Sequence, residues 1–187
     1  MFQRILTGAL LVSAAVVISA CASKVAPVGE SKDQLIRESE QAVSLFKRSD
    51  SSMERFFERS YGYAIFPKIS KGAAGVGGAN GRGLVYEQGD LIGYTTMSQA
   101  TIGLQLGGQS FSEIIFFRDK VDLTIFKQGN LEFDANASAV AATSGAGASA
   151  DYSKGVAVFT MARGGLMFEA SIGGQNFTYA AFGDYNP

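Results

Sequence analysis

A change of period near residue 61 constrains this chain more than any other feature. Before it, apolar residues recur three and four apart; after it they alternate, or run in short blocks between glycines. Helices therefore precede a β region. The β region opens with an unusual density of glycine, six in the sixteen residues KISKGAAGVGGANGRG at 68–83. Ala64, Ile65 and Phe66 form a short apolar run that Pro67 is expected to stop. Leu84-Val85-Tyr86 and Leu91-Ile92-Gly93-Tyr94 flank Gln88-Gly89-Asp90, the pattern of a hairpin. Ile102, Leu104 and Leu106 keep a two-residue period, and Ile114-Ile115-Phe116-Phe117 is apolar on both faces, which places it centrally in a sheet.

Later segments are less determined. Val121, Leu123, Ile125 and Phe126 suit either a strand or a short helix. The run ANASAVAATSGAGASA at 135–150 alternates alanine with small polar residues, so 133–143 is expected to be a strand with minimal side chains, a mobile loop being the other reading. Two more strands are expected, over Val156–Thr160 and from Leu166 through Ile172. Leu106-Gly107-Gly108-Gln109-Ser110-Phe111 echoes Ile172-Gly173-Gly174-Gln175-Asn176-Phe177, and glycine pairs within strand sequence mark bulges or sharp bends. The expected fold is α+β: an antiparallel, strongly bent sheet or open barrel or sandwich, with N-terminal helices packed against it.

Those helices carry their own signals. Ser31 with Gln34 resembles a capping box, and Leu35, Ile36, Ala42, Val43, Leu45 and Phe46 make one broad stripe over about 17 residues. Ser51 with Glu54 is a second such start, ahead of Met53, Phe56 and Phe57. Either stripe could meet lipid or a partner; covering a sheet is the commoner use.

The first thirty residues concern address rather than fold. Arg4 precedes an apolar run from Ile5 through Ile18, which is the layout of a secretory signal. Its end, Ile18-Ser19-Ala20-Cys21, resembles the lipobox of bacterial lipoproteins and contains the chain's one cysteine. The expected organisation is a signal peptide at 1–20, acylated Cys21 with a tether at 21–30, and a single domain at 31–187 comprising helices (31–60) and the Gly-rich β region (61–187). Ala22 rather than Asp after the cysteine points to the periplasmic face of the outer membrane.

Composition removes several functions. The chain contains no histidine, which excludes imidazole bases and His-liganded zinc, and an acylated Cys21 leaves no thiol chemistry. After cleavage at Cys21, 15 basic face 17 acidic residues, a balance that gives nucleic-acid binding no support. Asp90, Glu113, Asp119, Asp134, Asp151 and Glu169 are available carboxylates, but nothing in their spacing marks a catalytic pair. No enzyme activity and no cofactor are expected. The glycines of 72–83 lack a P-loop or dinucleotide context. A backbone cleft there could hold a phosphodiester head group beside Lys68, Lys71 and Arg82, with Arg163 as a further cation; alternatively the glycines serve tight bends and the cations are solvated.

Taken in order, Tyr63-Ala64-Ile65-Phe66-Pro67, Lys71-Gly72, Gly75 through Gly83, Gly103 through Gln109, Gly145-Ala146-Gly147, Gly155 and Gly165-Leu166 resemble the SYLF family from about Tyr61 to Phe182. Eukaryotic members bind lipid and actin at the cell cortex, and bacterial members are often secreted or lipid-anchored. The resemblance implies affinity for anionic phospholipid through basic residues, which here are Lys68, Lys71 and Arg82. The functional expectation is a non-catalytic, membrane-anchored envelope lipoprotein that binds phospholipid. The alternative is a scaffold that docks another envelope protein through its Tyr and Phe side chains.

Overall fold

A computed structural model describes residues 32–74, 76–102, 107–133, 138–163 and 170–182. The expected signal, Cys21, the tether and the Ser31 cap lie outside these residues, as do Asp134, Glu169 and the first part, 166–169, of the strand expected from Leu166 through Ile172.

Helix α1 (Lys32–Ser49) buries Leu35, Ala42 and Phe46, the stripe anticipated from the sequence. A 3₁₀ turn (Ser51–Met53) and helix α2 (Glu54–Arg59) follow. The cap of this turn differs from expectation, because Asp50 rather than Ser51 occupies it and accepts from the Ser52 amide at 3.0 Å. A carboxylate is the stronger acceptor, and this one also takes the amides of Gly145 and Gly147 from the small-residue run.

Eight strands form one sheet in the order β7-β5-β6-β4-β1-β2-β3-β8. They are β1 (Gly62–Ala74), β2 (Val76–Glu87), β3 (Asp90–Ile102), β4 (Gly107–Phe117), β5 (Ser138–Ala141), β6 (Val156–Ala162), β7 (Ala170–Ser171) and β8 (Gln175–Ala181). All neighbours are antiparallel except β5 and β6, so the sheet is mixed at one place. The β2–β3 hairpin turns on Gln88 and Gly89, both at positive φ, which matches the right-handed twist of the strands. Strand β4 sits between β1 and β6, the central position its two apolar faces required.

Pro67 does not end β1. Pairing with β2 shifts register between Ile65 and Lys68, and pairing with β4 shifts between Phe66 and Ile69. A bulge thus absorbs the missing N–H, and the strand runs on for seven more residues. Two donors stabilise the bulge: Ser112 Oγ and Arg163 Nη1 both bind the Pro67 carbonyl, at 2.7 and 2.6 Å.

Alternation along the strands divides the core in two. Ile65, Leu84, Ile114, Phe116 and Phe159 face α1 and α2, whereas Ala64, Phe66, Val85, Ile115, Phe117 and Val158 face the other way. That second face is covered partly by α3 (Lys120–Lys127), which inserts Leu123 and Phe126. The segment that suited strand or helix is therefore helical; Asp119 caps it by accepting from the Val121 and Asp122 amides. The sheet itself supplies the rest of the cover. Three strands separate β4 from β8, yet Gln175 on β8 reaches Glu113 on β4, and Phe177 lies 5.9 Å from Phe66 on β1. The sheet is curled into a half-closed barrel with β8 folded over its interior.

The echoed glycine pairs mark comparable corners. Each lies at or just before the start of a strand, β4 or β8, and Phe111 and Phe177 enter the same core. The small-residue run becomes the short strand β5 followed by a helical turn, α4 (Ala146–Ser149), so the expected strand at 133–143 is seen over its last part. Small side chains are required there by contact: a Cβ on Gly147 would stand 2.8 Å from Ser52 Oγ and 3.0 Å from Asp50 Oδ2.

Candidate functional site

The bulge and the register of β1 with β2 decide which cations meet. Lys68 and Arg82 are direct cross-strand partners. They line an open cleft of about 660 Å³ between the first turns of α1 and the middle of β1, β2 and β3. Gln34, Leu35 and Glu38 form its helical wall, and Ser70, Asn80, Thr96 and Ser98 give the strand wall a polar surface.

Arg163 follows β6, and its guanidinium is committed to the Pro67 carbonyl, one residue from Lys68. It borders the cation pair and secures the bulge that positions Lys68. Lys71 is elsewhere. It lies three residues past Lys68 and two past Ile69, so strand alternation puts it on the face of Ile69 and Ala79, opposite the cleft. Of the four cations expected from the sequence, three gather around the bulge and the fourth faces away. The chain's cysteine, Cys21, lies outside the described residues.

The cleft also contains a carboxylate that sequence reasoning did not place there. Glu38 accepts from Gln34 Nε2 at 3.0 Å, one helical turn apart. Its spacing from Leu35 and Ala42 on the α1 stripe was the available signal. The arrangement can bind an anionic oxygen between Lys68 and Arg82 while the polar strand wall hydrogen-bonds neighbouring atoms. Among the described residues no group of three or more His, Cys, Asp or Glu could hold a metal ion. No described helix is long and apolar enough to cross a membrane.

A second polar constellation lies inside the curled sheet. Glu113 is fully buried, and Gln175 Nε2 donates to its Oε2 at 3.0 Å. Burial pushes this carboxyl up to about 7, against the opposing influence of the Gln175 hydrogen bond. Its place in the sequence, directly before the two-faced apolar run Ile114–Phe117, was the sign that it would be buried.

Residues 98–180 match the family model described as Ysc84, Las17-binding protein actin regulator. Beta cell expansion factor A of Aeromonas veronii is 26% identical over 136 residues, covering 72% of this chain and 51% of that protein. The chain therefore spans about half the length of this curated relative. The matched region runs from the end of β3 into β8; it includes Glu113, Arg163 and Gln175, whereas Lys68 and Arg82 precede it. A mixed sheet curled over its own interior, with helices on the opposite face, is thus the setting of a Ysc84/SYLF region that occupies part of this chain.

Proposed function

We propose that this chain is a non-catalytic envelope lipoprotein whose β domain binds the head groups of anionic phospholipids. In this reading Cys21 is acylated and holds the protein on the periplasmic face of the outer membrane. The carrying observation is the pairing of Lys68 with Arg82 across β1 and β2, in a cleft open to solvent and walled by polar side chains. A phosphodiester offers two anionic oxygens to such a pair, and tethering makes even a modest affinity effective by raising the local concentration of membrane. The Ysc84/SYLF region supports a general relation to lipid.

Co-sedimentation of residues 24–187 with vesicles tests the reading. Binding to phosphatidylglycerol vesicles, weakening between low and physiological salt and lost with Lys68→Ala plus Arg82→Ala, is the expected result. Equal sedimentation with neutral vesicles would overturn the anionic head-group reading, and sedimentation with neither would overturn it and leave acylation as the only lipid contact.

The scaffold alternative relies on exposed aromatic side chains. Among the described residues the exposed large apolar side chains are Leu45, Val121 and Ile125, none of them aromatic. The aromatic side chains that reach the surface there, Tyr63 and Tyr86 among them, are only partly exposed.

A further inference from the structure

The Glu113–Gln175 contact joins two strands that are not neighbours. In the sheet β4 and β8 are separated by β1, β2 and β3, so the 3.0 Å hydrogen bond spans the barrel interior rather than a ladder. Both residues are buried in a region otherwise lined by Phe66, Ile115, Val158 and Phe177. Around this contact Glu113 Oε1, Gln175 Oε1 and Thr160 Oγ1 are buried oxygens with no hydrogen-bond partner among the described residues, and Gln99, which donates to the Gly173 carbonyl, lies beside Gln175 on β3. Thr160 is the direct partner of Glu113 on β6. With Glu113 ionised, its Oε1 and Gln175 Oε1 can only accept and the Thr160 hydroxyl is the one donor among these three oxygens; a proton on Glu113 provides a second.

We propose that Glu113 and Gln175 form a proton-dependent latch, which closes β8 over the interior of the sheet while Glu113 is protonated and loosens β8 when the proton is lost.

The protonated carboxyl keeps its Oε2 as acceptor for Gln175 and gains an O–H on Oε1. The ionised form would be a buried charge with a single hydrogen bond, a state that protein interiors avoid. No described cation neutralises it. Lys71 shares that face of β1, but its partner position on β4 is four residues from Glu113, roughly 13 Å along the strand. On α3, Lys127 is paired with Glu87, while Asp122 is held by Arg118, which also contacts Asp119. The described interior-facing residues of β2, β3, β6 and β8 near the latch carry no charge. An ionised Glu113 therefore gains most by reaching water, and β8, which supplies Gln175 and Phe177, is the element that must yield. The elevated proton affinity of this carboxyl places the transition near neutral pH.

Amide hydrogen exchange of the full-length protein at pH 5.5 and 8.5, corrected for intrinsic rates, tests the latch. Protection of the amides of residues 175–181 is expected to fall about tenfold or more at the higher pH while β1 and β2 change little. Glu113→Gln, which cannot ionise, should retain its β8 protection at both values. A second measurement requires no substitution: the carboxyl of Glu113 in the native protein, followed by carbon NMR, should titrate near neutrality. PH-independent β8 exchange, an identical fall in Glu113→Gln, or titration in the ordinary carboxylate range would each overturn the proposal.

Discussion

The two faces of the sheet are closed by different means. On one, α1 and α2 lay an apolar stripe over the strands; Phe56 meets Phe116 and Phe159 at ring separations of 5.5 and 5.0 Å, and Phe57 meets Phe116 edge-on at 4.9 Å. On the other, α3 covers only part, and the sheet curls so that β8 closes over β4 and β1. A helix can carry an all-apolar stripe because its polar residues turn to solvent. A strand folded over an interior keeps its inward positions inside whatever their chemistry, and here they include Gln175 opposite Glu113. The first face is consequently built for stability, and the second combines packing with a group that responds to pH.

Truncation of the helix-side aromatics should have the largest effect. Phe116→Ala removes a ring in contact with four other aromatic side chains and is expected to cost about 3–5 kcal/mol in denaturant unfolding. Phe177→Ala on the curled face should cost less, about 2–4 kcal/mol, because β8 is an edge strand that can settle inward. Equal losses would remove the distinction between the faces.

Next comes pH. The Glu113 carboxyl is raised from 4.5 to about 7 in the folded chain, so between those values the native state holds a proton that the unfolded state has released. Stability from this group is fully present below about pH 4.5, declines as pH rises towards 7, and is flat above it, with a total change on the order of 3 kcal/mol. The Glu113→Gln chain should lose this slope in urea unfolding measured across pH 4 to 8.5.

Asp50 gives the opposite sign on the helix side. Burial pushes its carboxyl up, but hydrogen bonds from Ser52 and from the Gly145 and Gly147 amides outweigh that and leave it below the usual range. Its stabilisation is present above the ordinary value of 3.8 and is lost as pH falls through the lowered one. Asp50→Ala should destabilise by about 1–3 kcal/mol at neutral pH, because the buried Gly147 amide and the part-buried Gly145 amide lose their acceptor. Thermal unfolding at pH 7 and pH 3 should show the difference shrinking in acid.

The smallest effect on folding is expected at the cleft. Lys68→Ala with Arg82→Ala should shift stability by no more than about 0.5 kcal/mol in the same unfolding assay. Binding to anionic vesicles should be lost nonetheless. A large stability loss would mean that the pair belongs to the architecture rather than to a binding surface.

Legibility followed the range of the interaction. The α1 stripe, the β2–β3 hairpin and the central position of Ile114–Phe117 were readable because they depend on period, a two-residue turn and local apolarity. Pro67 misled, since whether a strand stops at a proline or bulges past it depends on Ser112 and Arg163, which are distant in sequence. The cations at 68, 71 and 82 were visible as a group, but the face each takes follows from the bulge and the register.

The sequence by itself determined that helices precede a bent, glycine-rich antiparallel sheet, because period and glycine content act within a few residues. Only the tertiary structure decided that Lys68 and Arg82 share a cleft while Lys71 turns away, and that Glu113 meets Gln175 across the interior. Those pairings depend on how far the sheet curls and where one residue is inserted, and a one-residue shift exchanges the faces of every side chain beyond it.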